Sequence, residues 1–401
     1  MDKIDELLTR GVADIIPRKE ELEKFLRSGK KLRVYQGFDP TSPDLHIGHM
    51  LGLKKLRQWQ DLGHEVIFLI GDFTGMVGDP TGRNKTREPL TREQVLENAK
   101  TYKKQAGKIM QFEGKNPVQI KYNSEWLAKL SALEVTRLMS LLTVQQILER
   151  DMFRKRIKND QEISMIEVTY PIMQGYDSVA MDIDVEVGGT DQLFNMMVGR
   201  DLMRKIKGKN KFVMTTPLLT DASGAKIGKT EGNTIALRDK PENLFAKLMK
   251  LPDEIIGKGF EYLTNVPVSE INKIYIKLKL EKNPIVFKKK LAFEIVKDLN
   301  SEHDAKKALE HFEKTVQQKN LPTEIPAYKY SGETQTRIDD LLILANLSES
   351  KSEAKRLIEQ GGVEIDGKKV TDPNSEIKVK NDMVIKVGKR KYIKIKITPQ
   401  V

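Results

Sequence analysis

A chain of 401 residues exceeds the about 250–300 that a single core usually serves, and its 39% hydrophobic and 31% charged composition excludes a disordered chain. No apolar run nears the roughly 18 residues a membrane helix needs, no basic-then-apolar leader opens the chain, and the lack of cysteine excludes disulfides, thiolate metal sites and thiol nucleophiles. The net charge of +12 fits either polyanionic partners or a Lys-rich host proteome, and the basic excess is concentrated in the tail, with eight Lys or Arg against one acid, Asp382, from Lys378 onward.

In chain order, Lys31–Phe38 and Glu65–Ile70 are short apolar runs closed by Gly, Asp or Pro, as strands are. Between them Leu45–Leu62 carries helical periodicity, with Leu45, Gly48, Leu51, Leu56 and Trp59 near one face. Strand, helix, strand at this length is a βαβ unit, so the first half is expected to be α/β around a parallel sheet. Helices are expected at Arg92–Gln111, Ala132–Met139 and Pro171–Val179, and a strand at Asp182–Val187 that ends on Gly188-Gly189. Beyond Leu237 the pattern becomes amphipathic helices: Glu242–Lys250, Val268–Leu280, Asn283–Leu299 and Ser301–Lys314. Leu321–Ser331, with its prolines, reads as a linker. Two short helices and strands such as Val363–Asp366 and Glu376–Lys380 follow it. Three parts are expected, 1–225, 226–325 and 337–401.

Two of the five histidines, His46 and His49, stand three apart where a helix is expected to begin. That spacing puts both imidazoles on one face, beside the unpaired N–H groups and positive dipole end that favour phosphate. Gly48 between them lets a flat group approach the backbone. A metal pair is the competing reading, but carboxylates or cysteines at ligand spacing are lacking. Further on, Lys226 and Lys229 sit on a Gly-containing loop, which taken alone reads as a solvated surface loop. Tyr170, Gln174 and Asp177 fall on one polar stripe, with Pro171 placed at the first helical turn. A buried polar stripe needs partners, and a ligand bearing an ammonium and a hydroxyl would supply them.

His46-Ile47-Gly48-His49 matches the HIGH signature of class I aminoacyl-tRNA synthetases letter for letter. Lys226-Ile227-Gly228-Lys229-Thr230 is similar to that class's second signature, Lys-Met-Ser-Lys-Ser, departing at its second, third and fifth positions while keeping both lysines. Tyr35-x-Gly37-Phe38-Asp39-Pro40-Thr41, Gly78-Asp79-Pro80-Thr81-Gly82, Tyr170–Asp177 and Gly188-Gly189-Thr190-Asp191-Gln192 narrow the likeness to the tyrosyl-tRNA synthetases. Arg337–Lys368, with Ser350-Lys351-Ser352-Glu353-Ala354-Lys355-Arg356, resembles the ribosomal S-four-like RNA-binding module.

The resemblance implies a Rossmann-like catalytic domain, a helical anticodon-binding domain and a small α+β RNA-binding domain. It implies that Tyr35 and Asp177 meet the phenolic hydroxyl of L-tyrosine, that Asp79, Tyr170 and Gln174 hold its ammonium, and that Gln192 lies near its carboxylate or ring. For ATP it implies Gly189 and Asp191 at the ribose, His49 and Gly48 near the sugar and α-phosphate, and Thr41 and His46 at the terminal phosphates. Asp39 lines the same region, Lys226, Lys229 and Thr230 close over the pyrophosphate, and Arg83 and Arg87 add charge. Mg²⁺ is expected to arrive with ATP, and no resident metal is expected. The implied partners are tRNA(Tyr) and a second copy of the chain, in the cytoplasm, with no membrane.

Three other readings remain at this point: a tryptophanyl-tRNA synthetase, a nucleotidyltransferase with an H-x-G-H site, and a non-catalytic RNA-binding protein on a synthetase fold. The first would have no use for Asp177 beside Tyr35, and the second leaves the helical region and basic tail unexplained. If Lys229 acts chiefly in the transition state, Lys229→Ala slows adenylate formation by orders of magnitude at near-normal tyrosine binding, as single-turnover kinetics would show. Weakened tyrosine binding at an intact rate would sink that role.

Overall fold

Six short runs rich in β-branched and aromatic residues form one sheet: β1 (Asp14–Ile16), β2 (Arg33–Phe38), β3 (Glu65–Ile70), β4 (Gln119–Tyr122), β5 (Val185–Gly189) and β6 (Phe212–Thr216). The order is β1-β6-β5-β2-β3-β4, parallel throughout except for β1, which runs antiparallel to β6. The computed structural model describes residues 2–81, 89–221, 224, 226–227, 234–280, 283–317, 325–388 and 391–397. It divides into two compact units, Met1–Glu310 and His311–Val401. The α/β reading of the first half holds.

From β2 the chain crosses to β3 and β4 on one side, and later returns to β5 and β6 on the other. The strand order therefore reverses between β2 and β5, the point at which open parallel sheets bind ligands. Helix α1 (Ile47–Asp61) links β2 to β3 and buries Met50, Leu53, Leu56 and Trp59. Helix α2 (Met165–Ala180) precedes β5, and α3 (Leu193–Leu202) packs along α2.

The start of α2 corrects the sequence reading. Pro171 lies inside the helix, not at its first turn. The helix begins at Met165, where the Glu167 carboxylate accepts the Ser164 N–H (3.0 Å) as a capping residue does. Glu167 is itself buried against Arg156 (2.7 Å). This anchored first turn carries the helix past a proline that withholds one backbone donor. Similarly, the helix expected over Arg92–Gln111 is two short ones, Arg92–Ala99 and Tyr102–Ala106.

Further helices follow in the first unit, among them α4 (Pro241–Leu248), α5 (Ile255–Leu263), α6 (Val268–Leu280) and α7 (Ile285–Leu299). Helix α5 packs on α1, and Lys54 of α1 reaches Asp298 (2.9 Å) and Asn265 (2.7 Å). The next residue, Lys55, is buried and donates to the Leu7 carbonyl (2.7 Å) and to Gln58 (2.8 Å). The helix that opens the site is thus pinned from behind.

In the second unit the strands are β7 (Ala327–Tyr330), β8 (Gln335–Arg337), β9 (Val363–Ile365), β10 (Lys368–Val370), β11 (Glu376–Lys378), β12 (Val384–Val387) and β13 (Lys391–Ile397). Five form a sheet in the order β10-β9-β12-β13-β7, and β8 pairs with β11. Helices α8 (Ile338–Leu344) and α9 (Lys351–Glu359) contribute Ile338, Leu341, Leu342, Ala354 and Ile358 to its core. Part of the expected linker is strand: β7 runs parallel to β13 and buries Tyr330. The prolines on its N-terminal side hid an alternation, Tyr328-x-Tyr330, that the sheet uses. Among the described residues no helix is long and apolar enough to cross a membrane.

Burial, with the neighbouring Arg10 charge adding to it, lowers the Lys55 pKa to about 7. The unfolded chain keeps that proton up to the ordinary lysine value of 10.5, so this group's contribution to stability rises with pH between about 7 and 10.5. Lys55→Met removes that slope. Its thermal stability relative to the parent should be highest near pH 6 and decline toward pH 9, as calorimetry across that range would show.

Candidate active site

The turn from β2 into α1 is held by side chains of the neighbouring segment. Tyr102 donates its hydroxyl to the Ser42 carbonyl (2.8 Å), and the buried Gln105 amide pairs with Leu45 N–H and the Pro43 carbonyl (both 2.9 Å). The Thr41 N–H closes onto the Asp39 carbonyl (2.7 Å). His46 is the N-cap of α1: its Nδ1 accepts the Gly48 N–H (3.1 Å), while its own N–H donates to His49 Nδ1 (3.2 Å). The two rings lie 3.9 Å apart. Because both Nδ1 atoms accept, each neutral imidazole carries its proton on Nε2 as a donor, a tautomer inferred from these bonds.

Gly48 has a specific need to lack a side chain. A Cβ there would lie 2.9 Å from the His46 ring and 3.5 Å from the Ile227 carbonyl. Behind it, Ile47 N–H donates to the Ile235 carbonyl (3.0 Å) and Leu237 N–H to the Leu45 carbonyl (2.8 Å). Ile227 N–H in turn bonds the Leu219 carbonyl (2.7 Å). The chain on either side of the second lysine signature is therefore tied to the site.

A cleft of about 360 Å³ opens at the C-terminal ends of β2 and β5. It is lined by Tyr35, Asp39, Thr41, His46, Gly48, His49, Asp79, Tyr170, Gln174, Asp177, Gly189, Asp191, Gln192 and Lys226. Every expected site residue within the described set is thus brought to one cavity. Lys229, Thr230, Arg83 and Arg87 lie outside the described residues.

Its acids are all partnered. Asp177 is buried and accepts from Trp126 Nε1 (2.8 Å) and Asn123 Nδ2 (3.2 Å). Burial pushes its pKa well up, against the pull of those two N–H donors. Asp39 accepts from Tyr170 (2.8 Å) and Thr74 (2.7 Å), and Asp79 from Gln192 (2.6 Å) and the Thr81 hydroxyl (2.6 Å). Asp191 pairs with Lys226 at 2.5 Å. Burial raises the Tyr170 hydroxyl, with Asp39 next, and burial raises Tyr35, with Glu186 next. Gln174 gives its amide N–H to Glu186 (3.4 Å), and its buried Oε1 has no partner among the described residues.

Several supports escaped the sequence reading: Asn123, Trp126 and Glu186, then Asn195, which donates to Gln192 (3.0 Å), and Lys211, which pairs with Glu186 and donates to Ser178 (2.9 Å). Two had a visible signal. Glu186 interrupts the apolar run Val185–Val187, and Lys211 abuts Phe212–Met214. A charge set into an apolar strand needs a partner. Among the described residues no group of three or more His, Asp or Glu side chains is placed to hold a metal ion.

Residues 27–317 match the family model for class I tRNA synthetases (W and Y), and residues 336–384 match that of the S4 domain. The chain belongs to the class I tRNA synthetases of that tryptophan and tyrosine group, and within it to the tyrosyl enzymes. It is 46% identical to the tyrosine-tRNA ligase of Aquifex aeolicus over 97% of both chains. It is also 46% identical to that of Thermotoga maritima, over 97% of this chain and 96% of the other. Among solved structures it is similar to the C-terminally truncated mitochondrial tyrosyl-tRNA synthetase of Aspergillus nidulans, with a TM-score of 0.66, 26% identity, and coverage of 78% of this chain and 94% of that one.

The Gly48 geometry is directly testable. An exposed Gly→Ala change within a helix gains roughly 1 kcal/mol. Gly48→Ala should forfeit that gain, because its methyl displaces the His46 ring. Urea denaturation would show no stabilisation, and the ¹⁵N shift of His46 Nδ1 would lose its acceptor signature.

Proposed function

We propose that the protein is a tyrosine-tRNA ligase, forming tyrosyl-adenylate from L-tyrosine and ATP and passing tyrosine to the 3′ end of tRNA(Tyr). The donor and acceptor inventory of the cleft carries this reading. A phenol offers one proton and accepts another, and the buried Asp177 carboxylate and Tyr35 hydroxyl line the same cavity. The unpartnered Gln174 Oε1 suits an α-ammonium, as do Asp79 and the Tyr170 hydroxyl nearby. Gln192, bonded to Asp79, lies where it can meet the substrate's carboxylate or ring.

ATP takes the other lining. Asp191 and Gly189 at the end of β5 suit the ribose hydroxyls. The N-terminus of α1, with His46, His49 and the open backbone at Gly48, suits the phosphates. Thr41 and Asp39 line the same turn, and Lys226, with Lys229 and Thr230 further along the signature, supplies positive charge for the departing pyrophosphate. No side chain need act as nucleophile, since the tyrosine carboxylate attacks the α-phosphorus. The protein's part is positioning and stabilisation of charge on phosphorus. Both oxygens of Asp39 already accept protein donors. The lining therefore fits Mg²⁺ entering with ATP, held by phosphate oxygens and water.

The helices after Leu237 are proposed to meet the anticodon arm, and the second unit to bind RNA backbone through Lys355, Arg356 and its Lys-rich strands. A homodimer is proposed as well. Leu133, Val144, Ile157 and Met165 are each more than half exposed in the first unit, apolar side chains that a second copy would cover. The cytoplasm is proposed as its place of action.

Amino-acid-dependent exchange of pyrophosphate into ATP tests the proposal, with tyrosine, tryptophan and phenylalanine in parallel. Tyrosine alone should support exchange. Because burial raises the Asp177 pKa, its acceptor form is lost on acidification above the ordinary carboxylate range. The KM for tyrosine should climb as pH falls, and Asp177→Asn should raise KM and flatten that climb. Exchange with tryptophan would move the assignment to the sister enzyme.

A further inference from the structure

A charged pair lies behind the phenol end of the cleft that none of the steps above uses. Lys211, fully buried just before β6, forms an ion pair with Glu186 of β5. Its Nζ also donates to Ser178 Oγ (2.9 Å). Ser178 follows Asp177 on α2 and is itself fully buried. Its Oγ lies 3.1 Å from the Tyr35 hydroxyl and 3.3 Å from Glu186 Oε2. Parallel pairing of β2 with β5 sets Tyr35 in register with Glu186. On α3, Gly199 makes room for the ammonium, since a Cβ there would sit 2.6 Å from Lys211 Nζ.

The proton count fixes a direction. Ser178 has one hydroxyl proton and three neighbours, of which the ammonium can only donate. The remaining proton goes either to Glu186 or to Tyr35. Glu186 Oε2 is already met by the ammonium, and Tyr35 is the nearer of the two. If Ser178 donates to Tyr35, the Tyr35 proton points into the cleft and meets the phenol oxygen, while the phenol's own proton goes to Asp177. In the opposite order Tyr35 and Asp177 both wait to accept, with a single phenol proton between them.

We infer that Lys211, through Ser178, is a positioning residue that makes Tyr35 a hydrogen-bond donor in the cleft, with Glu186 balancing its charge. The inference rests on the reading that Tyr35 and Asp177 recognise the phenol. A chain running from ammonium through two hydroxyls and the substrate to a carboxylate is polarised the same way at each step. Without Lys211, the Glu186 carboxylate would claim the Ser178 proton and reverse the order.

The test compares KM for tyrosine with Ki for phenylalanine as inhibitor in pyrophosphate exchange, in Ser178→Ala, Lys211→Met and Tyr35→Phe. Ser178→Ala and Lys211→Met should each raise KM for tyrosine on the order of tenfold, the worth of about one hydrogen bond. The Ki for phenylalanine, the KM for ATP and kcat should stay near the parent's. Equal weakening of both amino acids, or a rise in the KM for ATP, would make the cluster structural and overturn the inference. An unchanged tyrosine KM in Ser178→Ala would overturn it too, and that variant decides alone if Lys211→Met fails to fold. Tyr35→Phe separates the two layers. If it leaves the ratio of Ki to KM untouched, the phenol reading itself is wrong; if it collapses the ratio while the other variants do not, only the relay is wrong.

Discussion

Taking a carboxylate out of water costs several kcal/mol unless donors replace the solvent, and this constraint organises the catalytic unit. Asp39, Asp79, Asp177 and Glu186 converge on one cleft, and each is met by named N–H, O–H or ammonium groups. Those donors come from distant segments: Asn123 and Trp126 beyond β4, Tyr170 and Ser178 on α2, Lys211 before β6. Satisfying the acids therefore fixes how these segments sit against one another. The same packing that makes the charges tolerable shapes the cavity.

A second constraint acts at the start of α1. The backbone N–H groups there must find acceptors, and two imidazoles provide them. Capping and function coincide, since using Nδ1 for the cap places the proton of each neutral ring on Nε2. The backbone pairing of Leu45–Ile47 with Ile235–Leu237 then fixes the exit of the lysine signature beside the helix that holds the first one.

Much of this was legible in the residues themselves. Apolar runs with glycine stops marked β2, β3 and β5, and the signature segments fell where β2 and β5 end. What stayed hidden had physical causes. The capping box at Ser164 and Glu167 outweighed Pro171, so a strong helix breaker misplaced a helix start. Pro322 and Pro326 obscured strand β7, whose partner lies more than sixty residues further on. The supports of Asp177 were invisible because one-dimensional spacing says nothing of Asn123 and Trp126, which meet it only once β4 and α2 have packed.

The neighbours that form the cleft, β2 and β5, are about as far apart along the chain as a small domain is long, yet Val34 faces Val185 across a single pair of strands. No half of the unit carries half of the site. A nascent chain that has emerged only as far as β4 holds the histidines but no wall to face them, and it presents β2 as an open edge. During synthesis the enzyme is thus without recognition until β5 arrives, and the segment that brings Lys226 to the cleft follows later still. Any factor that shelters the incomplete chain has that one edge to cover.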